Sequence, residues 1–392
     1  MAEVIPFKGI LYNMQKVDAS NVMAPPYDIV SPESKDILYK RSTHNIIRID
    51  FGKDNPGDNK TENRYTRASK SFSQWLEDKI LTEDEEPSFY CYEVSYNPPS
   101  PPFTKGGQRG INGHEKKLRG FLGAVKIEKL NSGRIHPHEM TYSKPKTDRL
   151  NILRFCKANI SPIFSLYSSR KQLSSLILKK TVKQKALAEA KNGDGSIHRL
   201  WRISDKNSIA IIKKELSDKD IFIADGHHRY ETALEFRNEM NKLRGQGSGV
   251  GGRESEVKPW DYVLMFLVNM EVGSTRSRDD GLMILPTHRL AGTGKKTKKG
   301  LTHNLKKLLE PHFDITAIPF NRSSEKKAVQ KMFRAMRKGR NALGMLVKDE
   351  KAFYVLNFRG FRSKIKIHKS LKNLDVAILH KLIFGELLGI DK

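Results

Sequence analysis

The sequence predicts an α/β (α+β) fold with mixed sheets, followed by a small C-terminal α+β unit. Two observations favour this class. Short apolar runs of strand length alternate with segments of helical spacing along most of the 392 residues. Among them, Tyr262–Asn269 is almost continuously apolar, as expected of a strand that is buried on both faces. From about residue 302 onward the alternation continues over shorter distances, which indicates the small unit.

Length and composition predict more than one domain. A chain of 392 residues, 38% of them hydrophobic, exceeds one small core, and usual domain sizes give two or three. We expect an N-terminal α/β region, 1–130, a central region, 131–300, and a basic C-terminal α+β unit, 301–392. Segments rich in Gly, Pro, Ser or charge are expected to be exposed loops, namely 97–115, 244–258, 271–280 and 291–300.

Each segment up to residue 191 is assigned from its own pattern. The expected strands are Ile5–Leu11, Asn45–Phe51, Ser88–Tyr96, Phe121–Ile127 and Ile163–Tyr167. One helix begins after Ser31, where a good N-cap precedes a proline. Tandem prolines exclude a helix at Ala24–Asp28 and predict a rigid loop. The other expected helices are Asn63–Leu81, Thr147–Ala158 and 172–191.

The most informative segment starts with the apolar run Ile221–Ala224, which leads through Asp-Gly into a helical pattern. This order predicts a strand, a tight turn and a helix. Amides of a first helical turn, with the positive end of the helix dipole, form an anion site. Gly226 would allow close backbone approach, and Arg229 can hold a phosphate through two parallel bonds. His227 and His228 beside such an anion could carry protons.

The charge is strongly basic and unevenly placed. The chain has 71 Lys+Arg against 44 Asp+Glu, a net charge of +27, and residues 291–392 contain 24 basic and 8 acidic residues. Such a surplus attracts polyanions, including nucleic acid, although scattered cations are also typical of a generally basic composition. Two distant cysteines, no signal peptide and no apolar run of membrane-spanning length favour a cytoplasmic protein that does not enter a membrane.

Four polar clusters lie at strand ends or in loops, where catalytic residues usually occur. They are Tyr27 with Asp28; His136, His138 and Glu139, followed by Lys144 and Arg149; Asp225 to Arg229; and His288 with Arg289. There is no Walker-type phosphate loop, no dinucleotide motif after a strand and no nucleophile elbow.

Two chemistries fit these clusters. In phosphoryl transfer, Gly226 and the following residues would bind a phosphate of ATP or ADP, and nearby cations would neutralise its charge. The expected roles are phosphate binding by Gly226, His227, His228, Arg229, Lys144 and Arg149; catalysis by Asp28, Glu139, His227 and His228; substrate contact by Tyr27, His136, His138, His288 and Arg289; and Mg²⁺ binding by Asp225.

The second chemistry is that of a metal-dependent hydrolase. The four histidines His136, His138, His227 and His228 would then be ligands with Asp225, and Glu139 would be the general base. Neither histidine pair matches the helical H-E-x-x-H spacing, which weakens this hypothesis. A structural alternative remains for each cluster: Asp225 only caps a helix, and the loop histidines pack against prolines.

Several motifs carry a family resemblance. The chain resembles the domain of unknown function 1015 family over roughly residues 5–390, through Pro-Pro-Tyr-Asp at 25–28, His-Pro-His-Glu at 136–139, Asp-Arg-Leu at 148–150, Asn-Ile-Ser-Pro-Ile-Phe at 159–164, Ala-Asp-Gly-His-His-Arg-Tyr-Glu-Thr-Ala at 224–233 and Leu-Pro-Thr-His-Arg at 285–289. Relatives typically continue for several dozen residues beyond the helix near Leu374–Leu388. The resemblance therefore implies that the chain is truncated or that a separate polypeptide supplies this segment, and that the chain alone is inactive if the segment completes the site.

The Asp-Gly-His-His-Arg turn is also similar to the phosphate-binding turn of the ParB and sulfiredoxin superfamily, which includes free-serine kinases. That similarity implies nucleotide phosphate on Gly226, His227, His228 and Arg229. We therefore expect a phosphotransferase or phosphohydrolase that acts on a nucleotide and a small hydroxylated metabolite, with free serine as the specific candidate. The alternatives are a ParB-like nucleotide- or nucleic-acid-binding module, with the basic C-terminal region as its nucleic-acid surface, and the metal-dependent hydrolase.

Overall fold

The computed structural model describes residues 2–97, 115–129, 133–137, 143–247, 258–271, 282, 301–339, 341–361, 372 and 374–389. The chain divides into two compact units, residues 1–98 with 113–283 and residues 99–112 with 284–392. The larger unit draws strands from both the N-terminal and the central region, while the division into three regions stays a prediction.

The larger unit is built on a mixed sheet. Its strands are β1 (Val4–Ile5), β2 (Ile10–Tyr12), β3 (Leu81–Glu83), β4 (Phe89–Tyr96), β5 (Lys116–Lys126), β6 (Ile135–His136), β7 (Ile163–Tyr167), β8 (Ala188–Lys191), β9 (Ile197–Ile203), β10 (Ile221–Asp225) and β11 (Tyr262–Asn269). Within the described residues, eight of them follow the order β6-β10-β7-β11-β5-β4-β9-β8, β1 adds to β5, and β2 pairs separately with β3. Parallel and antiparallel pairs alternate around β10 and β7, which confirms the predicted mixed-sheet α/β class.

The helices of this unit are α1 (Ala19–Val22), α2 (Pro32–Arg41), α3 (Ile47–Asp50), α4 (Arg64–Glu77), α5 (Ser143–Cys156), α6 (Leu173–Thr181), α7 (Lys206–Leu216) and α8 (His227–Gly247). They pack partly on the sheet and partly on one another, where α3, α4 and α5 form a second core with β3. The main core contains the fully buried side chains of Phe121, Ile221 and Tyr230. Burial of a large apolar side chain of this kind contributes about 1.5–3 kcal/mol. The segment Tyr262–Asn269, predicted to be buried on both faces, is the central strand β11.

Three predicted elements differ from the structure. Ile5–Leu11 is not one strand, because β1 ends at Ile5 and β2 begins at Ile10. Asn45–Phe51 is not a strand, because Asn45 Oδ1 accepts a hydrogen bond from Ile47 N at 3.0 Å and α3 begins there. A short apolar run does not distinguish the two elements by spacing alone. Residues 172–191 are not one helix, since α6 ends at Thr181 and Ala188–Lys191 pairs with β9 as an edge strand. Pairing in the sheet overrides the helical propensity of Ala, Glu and Lys there.

The smaller unit has α+β architecture, as predicted for the C-terminal part. Its elements are α9 (Leu301–Leu309), β12 (Phe313–Pro319), α10 (Glu325–Lys338), β13 (Ala342–Leu346), β14 (Ala352–Phe358), α11 (Asp375–Ala377) and a π-helix that follows it, Ile378–Leu387. The three strands form an antiparallel sheet with β14 in the middle. Within the described ranges of both units, each helix is too short or too polar to span a bilayer.

Candidate functional site

The predicted strand, turn and helix are present around Gly226. Strand β10 lies between β6, which is parallel to it, and β7, which is antiparallel, and it ends at Asp225. Gly226 has a φ of +96°, a conformation that L side chains rarely adopt, and α8 begins at the next residue. Tyr230 N donates to Gly226 O at 3.1 Å, a hydrogen bond that joins the turn to the start of the helix. The positive end of the α8 dipole therefore stands at the end of a buried strand.

Arg229 lies directly against this turn. A Cβ added to Gly226 would be 2.9 Å from Arg229 Nε and 3.0 Å from Cζ, so only glycine leaves room for the guanidinium. Arg229 Nη2 donates to the exposed carboxylate of Asp225, and Nη1 donates to Pro162 O at the start of β7. Arg229 Nε is buried and has no hydrogen-bond partner in the described part of the chain. The guanidinium thus covers the turn, and its Nε remains a donor without an acceptor among the described residues.

The start of α8 is held firmly by the hydroxyl of Tyr230. This hydroxyl donates to Glu128 O at 2.8 Å and accepts from Glu128 N at 2.9 Å. Burial raises the pKa of Tyr230 to about 12, so the phenol remains neutral and can keep donating. Two residues further on, Thr232 Oγ1 donates to the carbonyl of His228. These contacts fix the first two turns of the helix relative to the sheet.

A second motif, Asp-Arg-Leu, forms a buried ionic network in the same unit. Arg149 Nη1 donates to Asp50 Oδ1 at 2.7 Å, Nη2 donates to Asp50 O at 2.5 Å, and Nε donates to Asp148 Oδ2 at 2.9 Å. Burial works to lower the pKa of Arg149, but the carboxylates of Asp50 and Asp148 outweigh it and raise that pKa. Arg149 is therefore a fixed charge whose donors are largely engaged, and its expected role in phosphate binding stays a prediction.

Tyr27 connects this network to the turn. The guanidinium carbon of Arg149 lies 4.0 Å from the centroid of the Tyr27 ring, in a cation–π contact. Burial raises the pKa of Tyr27, while the positive charges of Arg149 and Arg229 act to lower it. The Tyr27 hydroxyl is thus within electrostatic reach of both arginines. Tyr27 therefore contacts the Asp-Arg-Leu motif directly, and the charge of Arg229 at the Gly226 turn also acts on its hydroxyl.

The other described site residues differ in burial and in their distance from the turn. Asp28 is exposed next to Tyr27, His227 is buried, and His228 is half-buried. His136 is buried beside Phe222, and its Nε2 is 3.3 Å from Asp220 Oδ1. Position 222 precedes the end of β10 by three residues, about 10 Å along the strand, so the structure does not bring this ring to the turn.

His138, Glu139, His288 and Arg289 lie outside the described residues, as does the side chain of Lys144. Their roles in catalysis, substrate contact and phosphate binding stay predictions.

Sequence reasoning missed several polar and charged residues beside the site. Arg64 and Tyr65, on α4, both donate to Asp148 Oδ1, at 2.5 Å and 3.0 Å. The ammonium of Lys35 lies 3.4 Å from the centroid of the Phe51 ring. Burial, and then the positive charge of Arg64, lower the pKa of Lys35. None of these residues stands in a motif, so the sequence alone contains no signal for them.

Ion pairs also join helices α5 and α8. Lys146 pairs with Glu231, and Arg154 Nε donates to Glu239 Oε2 at 3.0 Å. These partly exposed pairs lie on the two helices that carry the Asp-Arg-Leu motif and the Gly226 turn. No group of three His, Cys, Asp or Glu side chains with the closeness of a metal site occurs among the residues that the structure describes.

Comparison with protein families identifies the chain. A family model described as "Protein of unknown function (DUF1015)" matches residues 4–377, and the chain belongs to this family. Searches of curated proteins and of solved structures gave no significant match. The family match covers both compact units, and it includes each motif that forms the site.

Proposed function

We propose that this protein binds a nucleotide through a phosphate group at the Gly226 turn and transfers or hydrolyses a phosphoryl group. The proposed acceptor is a small hydroxylated metabolite, with free serine as the specific candidate. One observation carries the proposal: the guanidinium of Arg229 lies against the first turn of a long helix that leaves a buried strand through a glycine at positive φ. Helix N-termini and arginine forks both recognise phosphate oxygens.

The second support is electrostatic convergence at Tyr27. The positive charges of Arg149 and Arg229, which are distant in the sequence, both act to lower the pKa of its hydroxyl. Asp50 and Asp148 hold Arg149 rigidly, and a charge that is already oriented needs no reorganisation when a phosphate arrives. The phenol is a neutral donor at physiological pH, because burial raises its pKa.

The pair formed by Asp225 and Arg229 defines how a phosphate would enter. The carboxylate occupies the guanidinium edge that a phosphate oxygen would take, so binding requires Asp225 to leave Arg229. Asp225 is exposed and would then be available to Mg²⁺, which is usually held by one or two carboxylates together with substrate phosphates. When bound, the ion would neutralise charge on the phosphate oxygens.

The proposed chemical step is a simple displacement at phosphorus. The acceptor hydroxyl oxygen forms a bond to the terminal phosphorus, and the bond from that phosphorus to the nucleotide oxygen breaks. The nucleotide leaves with the electron pair, and the hydroxyl proton passes to a carboxylate, for which Asp28 and Glu139 are the candidates. In hydrolysis, water takes the place of the hydroxyl. His227 and His228 at the turn are candidates for proton transfer to the departing oxygen.

The test is direct product detection. The purified chain is incubated with Mg²⁺, free serine and either ATP or ADP, and phosphoserine is sought by mass spectrometry. We expect product that depends on both substrates and falls at least about tenfold in Arg229→Ala, because a charge-assisted phosphate contact is lost. Arg154→Ala is the matched control, since Arg154 lies on α5 in an exposed pair with Glu239. Equal product from both variants, or none from the unaltered protein, would count against the proposal.

A second candidate function rests on the exposed face of α10 in the smaller unit. The apolar side of this helix, including Ala328 and Met332, packs on the three-stranded sheet. Its opposite side exposes cations at positions i, i+4, i+7 and i+11, namely Lys327, Lys331, Arg334 and Lys338. In the described chain no ion pair involves these four side chains.

This arrangement costs the helix stability. Like charges spaced four residues apart repel, and a lysine in the first turn opposes the helix dipole. Both effects favour a polyanion as the partner of this face, and we propose a nucleic-acid backbone. Binding to an anionic membrane surface without binding to nucleic acid would contradict this second proposal.

A further inference from the structure

A cavity of about 350 Å³ lies elsewhere in the larger unit. Its walls come from strands β4, β5, β8 and β9 and from the segment that follows α6. In the sheet order, β5 stands three strands from β10, about 14 Å at the usual strand spacing, so the cavity is separate from the Gly226 turn. The lining residues that matter here are Glu93, Lys117, Arg119, Glu189, Arg199 and Trp201.

Four of these residues form a row of alternating charge across four strands. Glu93 on β4 is directly opposite Arg119 on β5 and Arg199 on β9, and Arg199 is opposite Glu189 on β8. Arg119 Nε donates to Glu93 Oε2 at 2.8 Å, and Arg199 Nε donates to Glu189 Oε2 at 2.6 Å. The two carboxylates are thus neutralised, and they hold both guanidinium groups in fixed positions at the cavity wall.

The row leaves hydrogen-bond donors unused. Arg119 contacts Glu93 through Nε and Nη2, and no described residue accepts from its Nη1. Arg199 makes one hydrogen bond, through Nε, within the described residues. The side chain of Lys117 has neither a hydrogen bond nor an ion pair in that same part of the chain, so its ammonium is a surplus positive charge at the cavity. Three cations therefore present spare donors to one small space.

Stability does not explain this arrangement. Glu93 is 4% exposed, and a buried ion pair is usually no more stabilising than a well-packed apolar pair of similar size. Next to the charged row, Val182 and Trp201 provide an apolar wall. A concave site with convergent polar groups on one side and apolar groups on the other is the usual form of a small-molecule site, and about 350 Å³ is at the lower end of the usual roughly 300–1,000 Å³.

We propose that this cavity binds a small metabolite through one oxyanion group, a phosphate or a carboxylate, held by Lys117, Arg119 and Arg199. The remainder of the ligand would lie against Trp201. Both kinds of oxyanion accept parallel hydrogen bonds from a guanidinium, so the recognising chemistry is the same for the two. This site is independent of the proposed phosphoryl transfer, and its failure would leave the Gly226 turn unaffected.

Trp201 supplies the reporter for the test. The full chain is titrated with phenyl phosphate, with benzoate and with neutral benzyl alcohol, while tryptophan fluorescence is recorded. We expect a saturable change with at least one of the two anions and none with the alcohol, and the anion that binds more tightly identifies the class. Trp201→Phe should abolish the change, whereas Trp75→Phe, in a separate core cluster, should retain it.

Charge variants distinguish a site from general attraction. Lys117→Gln leaves the Glu93 pairs intact and should raise the Kd for the anion about tenfold or more. Lys191→Gln removes the same charge from the exposed end of β8 and should leave the Kd unchanged, as should Arg229→Ala. Equal weakening by Lys117→Gln and Lys191→Gln, or no saturable signal from either anion, would overturn the proposal. Thermal unfolding of each variant confirms that it is folded.

Discussion

Arg229 and Gly226 form a matched pair, because the guanidinium approaches to within 2.9 Å of the position where any other residue would carry its Cβ. We expect Gly226→Ala to destabilise the protein by about 1–3 kcal/mol, from backbone strain together with this contact. The change also displaces Arg229 and should weaken nucleotide binding. Chemical denaturation and binding titration measure the two effects.

Gly57→Ala is the control for this substitution. Gly57 has a nearly identical φ of +92°, and a Cβ there would meet nothing within 4 Å. Its variant should show the strain without the contact, and binding should remain as in the unaltered chain. An equal loss of stability in both variants would remove the contact with Arg229 from the explanation.

Asp225 competes with a ligand phosphate for the same guanidinium. In the absence of Mg²⁺, Asp225→Asn should therefore bind ADP several-fold more tightly, whereas Arg229→Ala should bind it about 1.5–3 kcal/mol more weakly. The double variant decides whether the effects are coupled: in the Arg229→Ala background, Asp225→Asn should have no further effect. Calorimetric titration measures all four proteins, and additive changes would argue against a direct exchange.

The buried network around Arg149 should be sensitive even to a conservative change. Arg149→Lys removes donors to Asp50 and Asp148 and leaves poorly paired buried carboxylates, which costs about 3–5 kcal/mol when such a pair is broken. Arg154→Lys, on the same helix and in an exposed pair with Glu239, should cost less than about 1 kcal/mol. Urea unfolding compares the two, and similar losses would contradict the difference in burial.

The two cysteines should be unreactive in the folded protein. Burial raises the pKa of Cys91 to about 12 and that of Cys156 to about 11, so neither is a thiolate at pH 8. A thiol reagent such as DTNB should label neither residue before denaturation and both after it. Because the folded pKa values are raised, these thiols should also reduce stability as the pH rises from about 9 toward 11. Rapid labelling of the native chain at pH 8 would contradict this.

The exposed face of α10 should bind nucleic acid in a salt-dependent manner. Replacing Lys327, Lys331 and Arg334 with glutamine should weaken binding and reduce the slope of log K against log salt by up to about 3, since each phosphate contact contributes about 0.9. Fluorescence anisotropy with short duplexes measures the slope.

The control for α10 removes three exposed cations from the larger unit, Lys179, Lys183 and Lys185. An equal loss in this control would indicate general charge attraction. Binding to anionic vesicles without binding to nucleic acid would point to a membrane partner.

The local features of this protein were predictable from the sequence. The apolar run, the glycine and the helical spacing around residues 221–233 are patterns that each depend on a few neighbouring residues. The strand β10, the turn and the start of α8 that they predict are confirmed. The same holds for β11, whose continuous apolar pattern required burial on both faces. Short apolar or helix-prone runs were less decisive, as Asn45–Phe51 and Ala188–Lys191 show, because pairing partners elsewhere decide them.

Only the tertiary structure decided which motifs meet. Arg149 contacts Asp50 across 99 positions, and Arg229 contacts Pro162 across 67, and neither contact has a signature in the sequence around it. The row of Glu93, Arg119 and Arg199 likewise exists only because three strands align in register. The physical reason is that local patterns act through the backbone of one segment, whereas charge pairs and cavities depend on the distance between segments that folding brings together.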